Sequence, residues 1–215
     1  DEDIGSRAVI RNARELVWYP SEVDTSIRTG WFYHPEEDTD VRTADELLDI
    51  YLDAVGANAS LLLNIPPDTH GRIAAPDCAS LAELGTKIQQ IFASNVTEKA
   101  AITADSAIAQ HPITQAVDGM ADTYWQAAYG QEFDTITLKF PKPQKVSCVV
   151  LGEHLPTGQR IESGEIWADG SKVSEFTVVG HKRICRFAPV EVLTLTIKIT
   201  ASRTEPTLRL LAVYQ

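Results

Sequence analysis

The sequence is poor in cysteine, in basic charge and in long apolar runs, and each shortage removes a class of function. Its three cysteines are Cys78, Cys148 and Cys185. An odd, widely spaced set of that size is not a disulfide framework, and no Cys or His pair has the spacing of a zinc site. The three read as buried thiols. Cys148 and Cys185 both lie in strand-like runs, and whether they face each other depends on how those strands pair. Lys and Arg number 19 against 30 Asp and Glu, for a net charge of −11. Phosphate binding needs clustered Lys and Arg, so nucleic acid is not an expected partner. The charge suits solubility and a neutral or cationic small ligand. No apolar run approaches the roughly 20 residues that span a bilayer, so no membrane partner is expected either. Asp1 to Gly5 are acidic, unlike the positive start of a signal peptide, although removal of an export signal is compatible with them. The compartment stays open, and neither a metal nor a cofactor is called for.

What is present is a hydrophobic content of 44%, ordinary for a globular protein, distributed in two different ways. Before residue 95 the patterns are helical or a single apolar strand. Thr43-Ala44-Asp45-Glu46 is a capping box. Leu47, Leu48, Tyr51, Leu52 and Val55 then recur at helical spacing, and Gly56 is positioned to end that helix. Ser60 to Ile65 is a short unbroken apolar run stopped by Pro66-Pro67, the signature of a parallel strand buried on both faces. Asp77 is expected to cap a second helix, with Leu81, Leu84, Ile88 and Ile91 on its core face. Helix, buried strand, loop, helix is about one and a half units of a (β/α)8 barrel, too little to close one. The segment is therefore expected to be a piece whose neighbouring strands lie elsewhere, and to have no closed core of its own.

After residue 95 strand patterns dominate. Phe133 to Phe140 alternates, Val146 to Leu151 is wholly apolar, and Ile161 to Trp167, Phe176 to Val179, Ile184 to Phe187, Leu193 to Ile199 and Leu208 to Tyr214 follow. Asp118-Gly119 and Asp169-Gly170 mark tight turns. Seven or more such runs predict an antiparallel β-sandwich. The fold class expected is thus α/β plus all-β, with residues 1–95 the barrel segment and residues 96–215 the sandwich.

Several motifs add a resemblance. Trp18-Tyr19-Pro20-Ser21-Glu22-Val23-Asp24-Thr25-Ser26-Ile27-Arg28 and Gly30-Trp31-Phe32-Tyr33-His34 are similar to a signature of the family-29 α-L-fucosidases. Glu46 to Tyr51, Val55-Gly56, and Leu61 to Asp68 with Gly71 continue it in order. Gly152-Glu153-His154-Leu155-Pro156-Thr157-Gly158-Gln159-Arg160-Ile161 and Gly180 to Ile184 resemble the C-terminal domain of the same enzymes. The resemblance implies the end of a catalytic barrel followed by a galactose-binding-like jelly roll, and a retaining hydrolysis of terminal α-L-fucose by double displacement. In that chemistry one carboxylate attacks the anomeric carbon while a second carboxyl group protonates the leaving oxygen. The implied partners are a fucosylated oligosaccharide or glycoconjugate and the rest of the barrel. No part of the chain matches the family's nucleophile segment, so the chain alone is expected to be inactive. Glu22, between Trp18 and Trp31, is the candidate acid/base, since apolar surroundings raise a carboxyl pKa; the resemblance also allows an upstream Glu absent from this chain in that role, and the competing readings of Glu22 are a carboxylate that orients its neighbours and a solvated surface Glu. Trp31 is the candidate substrate-binding residue, an aromatic to pack on the sugar's C6 methyl. Asp24 and Arg28 are candidates for a local ion pair, and His34 for a loop hydrogen-bond donor. The alternative to an enzyme piece is a non-catalytic carbohydrate-binding or structural module.

In the second half, Asp118-Gly119 with Asp122-Thr123-Tyr124-Trp125 resembles the first turn of discoidin-type domains. Turn chemistry is the favoured reading there over a structural calcium, and Trp125 is expected in the core. Asn58-Ala59-Ser60 and Asn95-Val96-Thr97 fit the glycosylation sequon, the first next to the apolar strand, where a glycan is not expected.

Overall fold

The computed structural model describes residues 7–15, 17 and 19–215; Trp18, which the sequence sets near Glu22, lies outside them. A helical turn, α1 (Arg7–Ile10), comes first. A parallel βαβα unit follows: β1 (Glu22–Ser26), α2 (Ala44–Ala54), β2 (Ser60–Asn64) and α3 (Ala75–Ile91), with β1 and β2 paired from Glu22–Ser60 to Ser26–Asn64. The expected capping box starts α2: Glu46 N donates to Thr43 Oγ1 (3.3 Å) and Thr43 N to Glu46 Oε2 (2.8 Å). Leu47, Leu48 and Leu84 bury themselves with Ile27, and Leu63, Ile65, Leu81 and Ile88 pack around them. The helices thus cover one face of the two strands. Alternation along β2 turns Leu62 to the other face, where it is 51% exposed.

Three expectations about this half need correction. It holds two strands rather than one; β1 escaped notice because Glu-Val-Asp-Thr-Ser carries a single large apolar side chain. The run from Ser60 is covered on one face only among the described residues. Asp77 is not the N-cap: α3 begins two residues earlier, after Ala74, and Asp77 is drawn inward to Arg28. Gly56 does follow the end of α2, but it is required for space, since a Cβ there would collide with the Leu52 carbonyl oxygen and lie 3.0 Å from Ile184 Cβ.

The second half is antiparallel. Its strands are β3 (Ala101–Ala104), β4 (Trp125–Gln126), β5 (Asp134–Gly152), β6 (Ile161–Ala168), β7 (Ser171–Phe176), β8 (Arg183–Ser202), β9 (Thr207–Leu208) and β10 (Leu210–Tyr214). The main sheet runs β10-β5-β8-β6-β7, with β3 also on β5, and β4 pairs with β9. Two pairs of predicted strands are each one long strand: Phe133–Phe140 and Val146–Leu151 join in β5, Ile184–Phe187 and Leu193–Ile199 in β8. The register slips between Lys139 and Gln144, and again between Val146 and Cys148. Pro141, Pro143 and, across the pair, Pro189 lack the N–H a regular ladder needs there. Strands that slip in this way can serve both walls of a sandwich. Ile136, Leu138, Val149 and Leu151 of β5 enter the same core as Val192, Leu195 and Ile197 of β8, with Trp125 and Ile166. The strand expected at Phe176 to Val179 sits earlier, at Ser171–Phe176, because Asp169 (φ 44°) and Gly170 (φ 86°) close a two-residue hairpin with β6.

The wholly apolar run of β5 has a physical reason. Val149 and Leu151 face the core, while Cys148 and Val150, with Ala212, form an outer strip covered by Ile91 and Phe92 at the end of α3. Phe92 meets Tyr214 edge-on, with ring centroids 5.2 Å apart. The halves are also tied by Ile184 N to Gly56 O (2.9 Å) and His181 N to Asn58 Oδ1 (2.6 Å). Asn58 is half-buried, and its side-chain amide also donates to Gln159 Oε1 (3.3 Å). All three cysteines are free, and Cys78 is exposed rather than buried. Cys148 and Cys185 lie on neighbouring strands but on opposite faces, since Val149 is the residue paired with Cys185. Burial pushes their thiols up, to about 11 for Cys148 and about 12 for Cys185.

Candidate functional site

The carboxyl ends of β1 and β2 carry a loop held from several sides. Ser26 is its hub: its Oγ accepts from Arg28 N (3.3 Å) and Asn64 Nδ2 (3.1 Å) and donates to Gly30 O (2.8 Å). Asn64 Nδ2 also donates to the Trp31 carbonyl (3.0 Å). A polar pair at adjacent strand ends thus pins the backbone, while the Trp31 and Phe32 side chains remain 52% and 78% exposed.

Beneath the loop lies Arg28, 1% exposed. Its Nε and Nη2 contact the two carboxylate oxygens of buried Asp77 at 3.1 and 3.0 Å, and Nη2 also reaches Asp38 Oδ1 at 2.8 Å. Nη1 donates to the His34 carbonyl (3.3 Å), and the guanidinium lies 4.8 Å from the Tyr33 ring centre. Planar, two-pronged pairing of this kind fixes orientation as well as charge. The expected Asp24–Arg28 pair does not form: Arg28 turns inward to α3 and Asp38, and Asp24 stays exposed on β1. His34 serves through its backbone carbonyl, and its ring is exposed, 3.9 Å from Glu36.

Glu22 and Trp31 are not brought together. Glu22 is exposed and opens β1 opposite Ser60, while Trp31 lies past the strand's other end. Four residues of rise separate Glu22 from Ser26, roughly 13 Å at strand spacing. Asn64, Ser26, Asp38 and Asp77 were missed as site-building residues. Only Asn64 left a signal, a polar residue ending an apolar run. After β2, Asp68 Oδ1 accepts from His70 N (2.8 Å) and Arg72 N (2.9 Å), and Gly71 takes φ 74°. These backbone bonds, that from Arg72 foremost, hold the Asp68 carboxyl below its ordinary range.

At the end of the antiparallel half, Glu153 is fully buried. Its Oε1 accepts from Arg160 N (2.7 Å) and Ile161 N (2.9 Å), and its Oε2 from Gly180 N (2.7 Å). Burial holds this carboxyl above its ordinary range, against the opposing pull of the three N–H groups. The motif around it is a staple between loops. Asp118 is likewise a turn residue: it accepts from Met120 N (2.9 Å), and both its oxygens accept from Thr123 Oγ1 (2.9 and 2.7 Å). Trp125 is buried, with Nε1 donating to Ser106 O (3.0 Å).

Residues 9–90, the stretch that contains Ser26, Arg28, Trp31 and Asn64, match the α-L-fucosidase family model. The chain is similar to the C-terminal portion of the α-L-fucosidases. Its kinship extends into the antiparallel half. α-L-Fucosidase 1 of Arabidopsis thaliana is 32% identical over 209 residues, 92% of this chain and 41% of that protein. A Bacteroides thetaiotaomicron protein assigned to the α-L-fucosidases superposes with a TM-score of 0.87 at 30% identity, over 93% of this chain and 45% of its own. A GH29 fucosidase of Ruminococcus gnavus, solved in complex with fucose, gives a TM-score of 0.84 at 27% identity, over 92% of this chain and 41% of its own. The chain thus spans about two-fifths of the length of the relatives it matches, as the resemblance to a C-terminal portion implies.

Proposed function

We propose that this chain is part of a retaining exo-α-L-fucosidase that hydrolyses terminal α-L-fucose from glycans by double displacement. Residues 1–95 contribute the end of the catalytic barrel and residues 96–215 a galactose-binding-like jelly roll. The observation that carries the reading is Trp31: an exposed aromatic on a pinned loop at the carboxyl ends of two parallel strands, within the stretch that matches the family. Barrel enzymes build their sites at that end of the strands. The fucose complex of the Ruminococcus gnavus relative supports a fucosylated substrate. In this reading Trp31 packs on the C6 methyl, which galactose replaces with a hydroxymethyl group.

Glu22 was the candidate acid/base. Its position at the amino end of β1, roughly 13 Å of strand from the Trp31 loop, favours the competing reading, a carboxylate that orients neighbours at the opposite end of the barrel. The two carboxyl groups of a retaining enzyme work about 5–5.5 Å apart, so both belong near Trp31. No stretch of the chain resembles the nucleophile segment, and the chain by itself is inactive. The test is release of the chromophore from a chromogenic α-L-fucoside, by the purified chain and by the chain with any polypeptide that co-purifies. Activity only in the second case is expected; turnover by the chain alone, pure by mass spectrometry, would refute the assignment of the nucleophile to another segment. Fucoside hydrolysis in neither case, with a co-purifying partner present, would favour a carbohydrate-binding or structural module.

A further inference from the structure

Three loops at one end of the antiparallel half meet through a stack of rings. Tyr124 is flanked by His111, with centroids 3.9 Å apart and planes at 21°, and by His154, at 3.9 Å and 8°. His111 precedes the 3-10 turn Ile113–Ala116, Tyr124 leads into β4, and His154 follows β5. His111 Nδ1 lies 3.2 Å from Gln115 Oε1. His154 Nδ1 is shielded from solvent and has no hydrogen-bond partner. The adjacent carboxylate gives no help, because Glu153 is committed to the backbone of Arg160, Ile161 and Gly180. Of the charged groups that act on His154, His111, Arg209 and Arg160 disfavour a proton and Asp122 favours one.

We propose that the His111–Tyr124–His154 stack is an acid-sensitive clasp, which holds these three loops together while His154 is neutral and releases them when it takes up a proton. A cation over a tyrosine face is attractive, and that contact alone would favour the charged stack. It is opposed by two larger effects. The incoming proton sits on a buried nitrogen with no acceptor, a donor stripped of water and given nothing in return. The new charge would also be repelled by Arg209 and Arg160. Burial foremost, then His111, Arg209 and Arg160, hold His154 below the ordinary imidazole range, with Asp122 pulling the other way. A base whose pKa is depressed by folding leaves the folded state with fewer protons than the unfolded chain. The clasp's contribution is therefore complete above the ordinary imidazole value of about 6.5 and is lost as the pH falls through the lower folded value.

The test is proton NMR of the whole chain, following the Tyr124 ring signals (assigned by loss in Tyr124→Phe) from about pH 7.5 to about pH 5, the range in which histidine changes charge. Two flanking imidazoles shift those signals upfield, and most of that displacement should disappear as the His154 Hε1 signal titrates. His154→Phe keeps a ring on the tyrosine face without a proton site, and its Tyr124 signals should stay displaced at both pH values. Should that variant not fold, the wild-type titration decides alone. Full titration of His154 with Tyr124 unmoved, or loss of the displacement in His154→Phe over the same range, would overturn the proposal.

Discussion

Arg28 and Glu153 each tie several segments together, and both are buried. Removing Arg28 leaves Asp77, itself 0% exposed, without its cation. Breaking a buried pair by deleting one partner costs on the order of 3–5 kcal/mol, so Arg28→Ala should lower the stability of the chain by about that much in urea denaturation. An apolar pair of similar volume has no charge to leave behind, so Arg28→Met with Asp77→Leu should recover most of the loss; a double variant as unstable as the single one would mean the ion pair is not what matters. Glu153→Gln is a smaller change with a predictable sign. It turns one acceptor into a donor facing another donor, at Gly180 or at Arg160 and Ile161, and a buried unmade hydrogen bond costs about 1–3 kcal/mol. Thermal unfolding of Glu153→Gln against wild type checks it. Glu205 predicts a pH effect. Gly130 N–H foremost, and the Thr204 hydroxyl, lower its carboxyl to about 2. A depressed acid adds stability above its ordinary value of about 4.3, lost as pH falls through the folded value, so Glu205→Gln should flatten the acid limb of a pH–stability curve.

At the scale of elements, the antiparallel half has a large core, and the parallel half a smaller one around Ile27, Leu47, Leu48 and Leu84. Trp125, Leu138, Ile166, Leu195 and Leu208 are each 0% exposed within one cluster, and a span of about 120 residues can sustain one core. Val96 N bonds Val213 O and Gln215 N bonds Ser94 O (2.8 and 3.2 Å), so a piece meant to stand alone should begin at Ser94. Residues 94–215 should show a β-type circular dichroism spectrum and one cooperative melting transition. That transition should come below the full chain's, because Cys148, Val150 and Ala212 lose the cover of Ile91 and Phe92. A piece that remains unfolded would show that the sheet needs α3 to form at all. The helices and hairpins were legible in the sequence because their signals are local: the capping box at Thr43, the 3.6-residue spacing of Leu47, Leu48 and Tyr51, the Asp169-Gly170 turn. The merging of strands in β5 and β8 was not. The prolines at 141, 143 and 189 look like strand ends in a linear reading, whereas paired across the sheet they are slips within continuous strands.

For the whole molecule, the proposed fucosidase reading is decided in a protein that also carries the strands such a barrel would add. In a protein that carries them, Trp31→Ala should weaken fucose binding by about 1–3 kcal/mol, the scale of a lost apolar contact in a specificity pocket. Glu22→Ala separates its two readings by leaving group: an acid/base would spare activated aryl fucosides in the first step and permit azide rescue, whereas an orienting carboxylate at the far end of β1 should damage good and poor substrates about equally, with no rescue. Sequence by itself determined the fucosidase resemblance, the start of α2 and the strand-rich second half, because these rest on residue types in fixed order along the chain. Only the tertiary structure decided that Arg28 pairs with Asp77 and not Asp24, that Cys148 and Cys185 turn their backs on one another, and that Glu22 stands a strand's length from Trp31. Each of those depends on which face of which strand a side chain leaves, and a one-residue step in register reverses it.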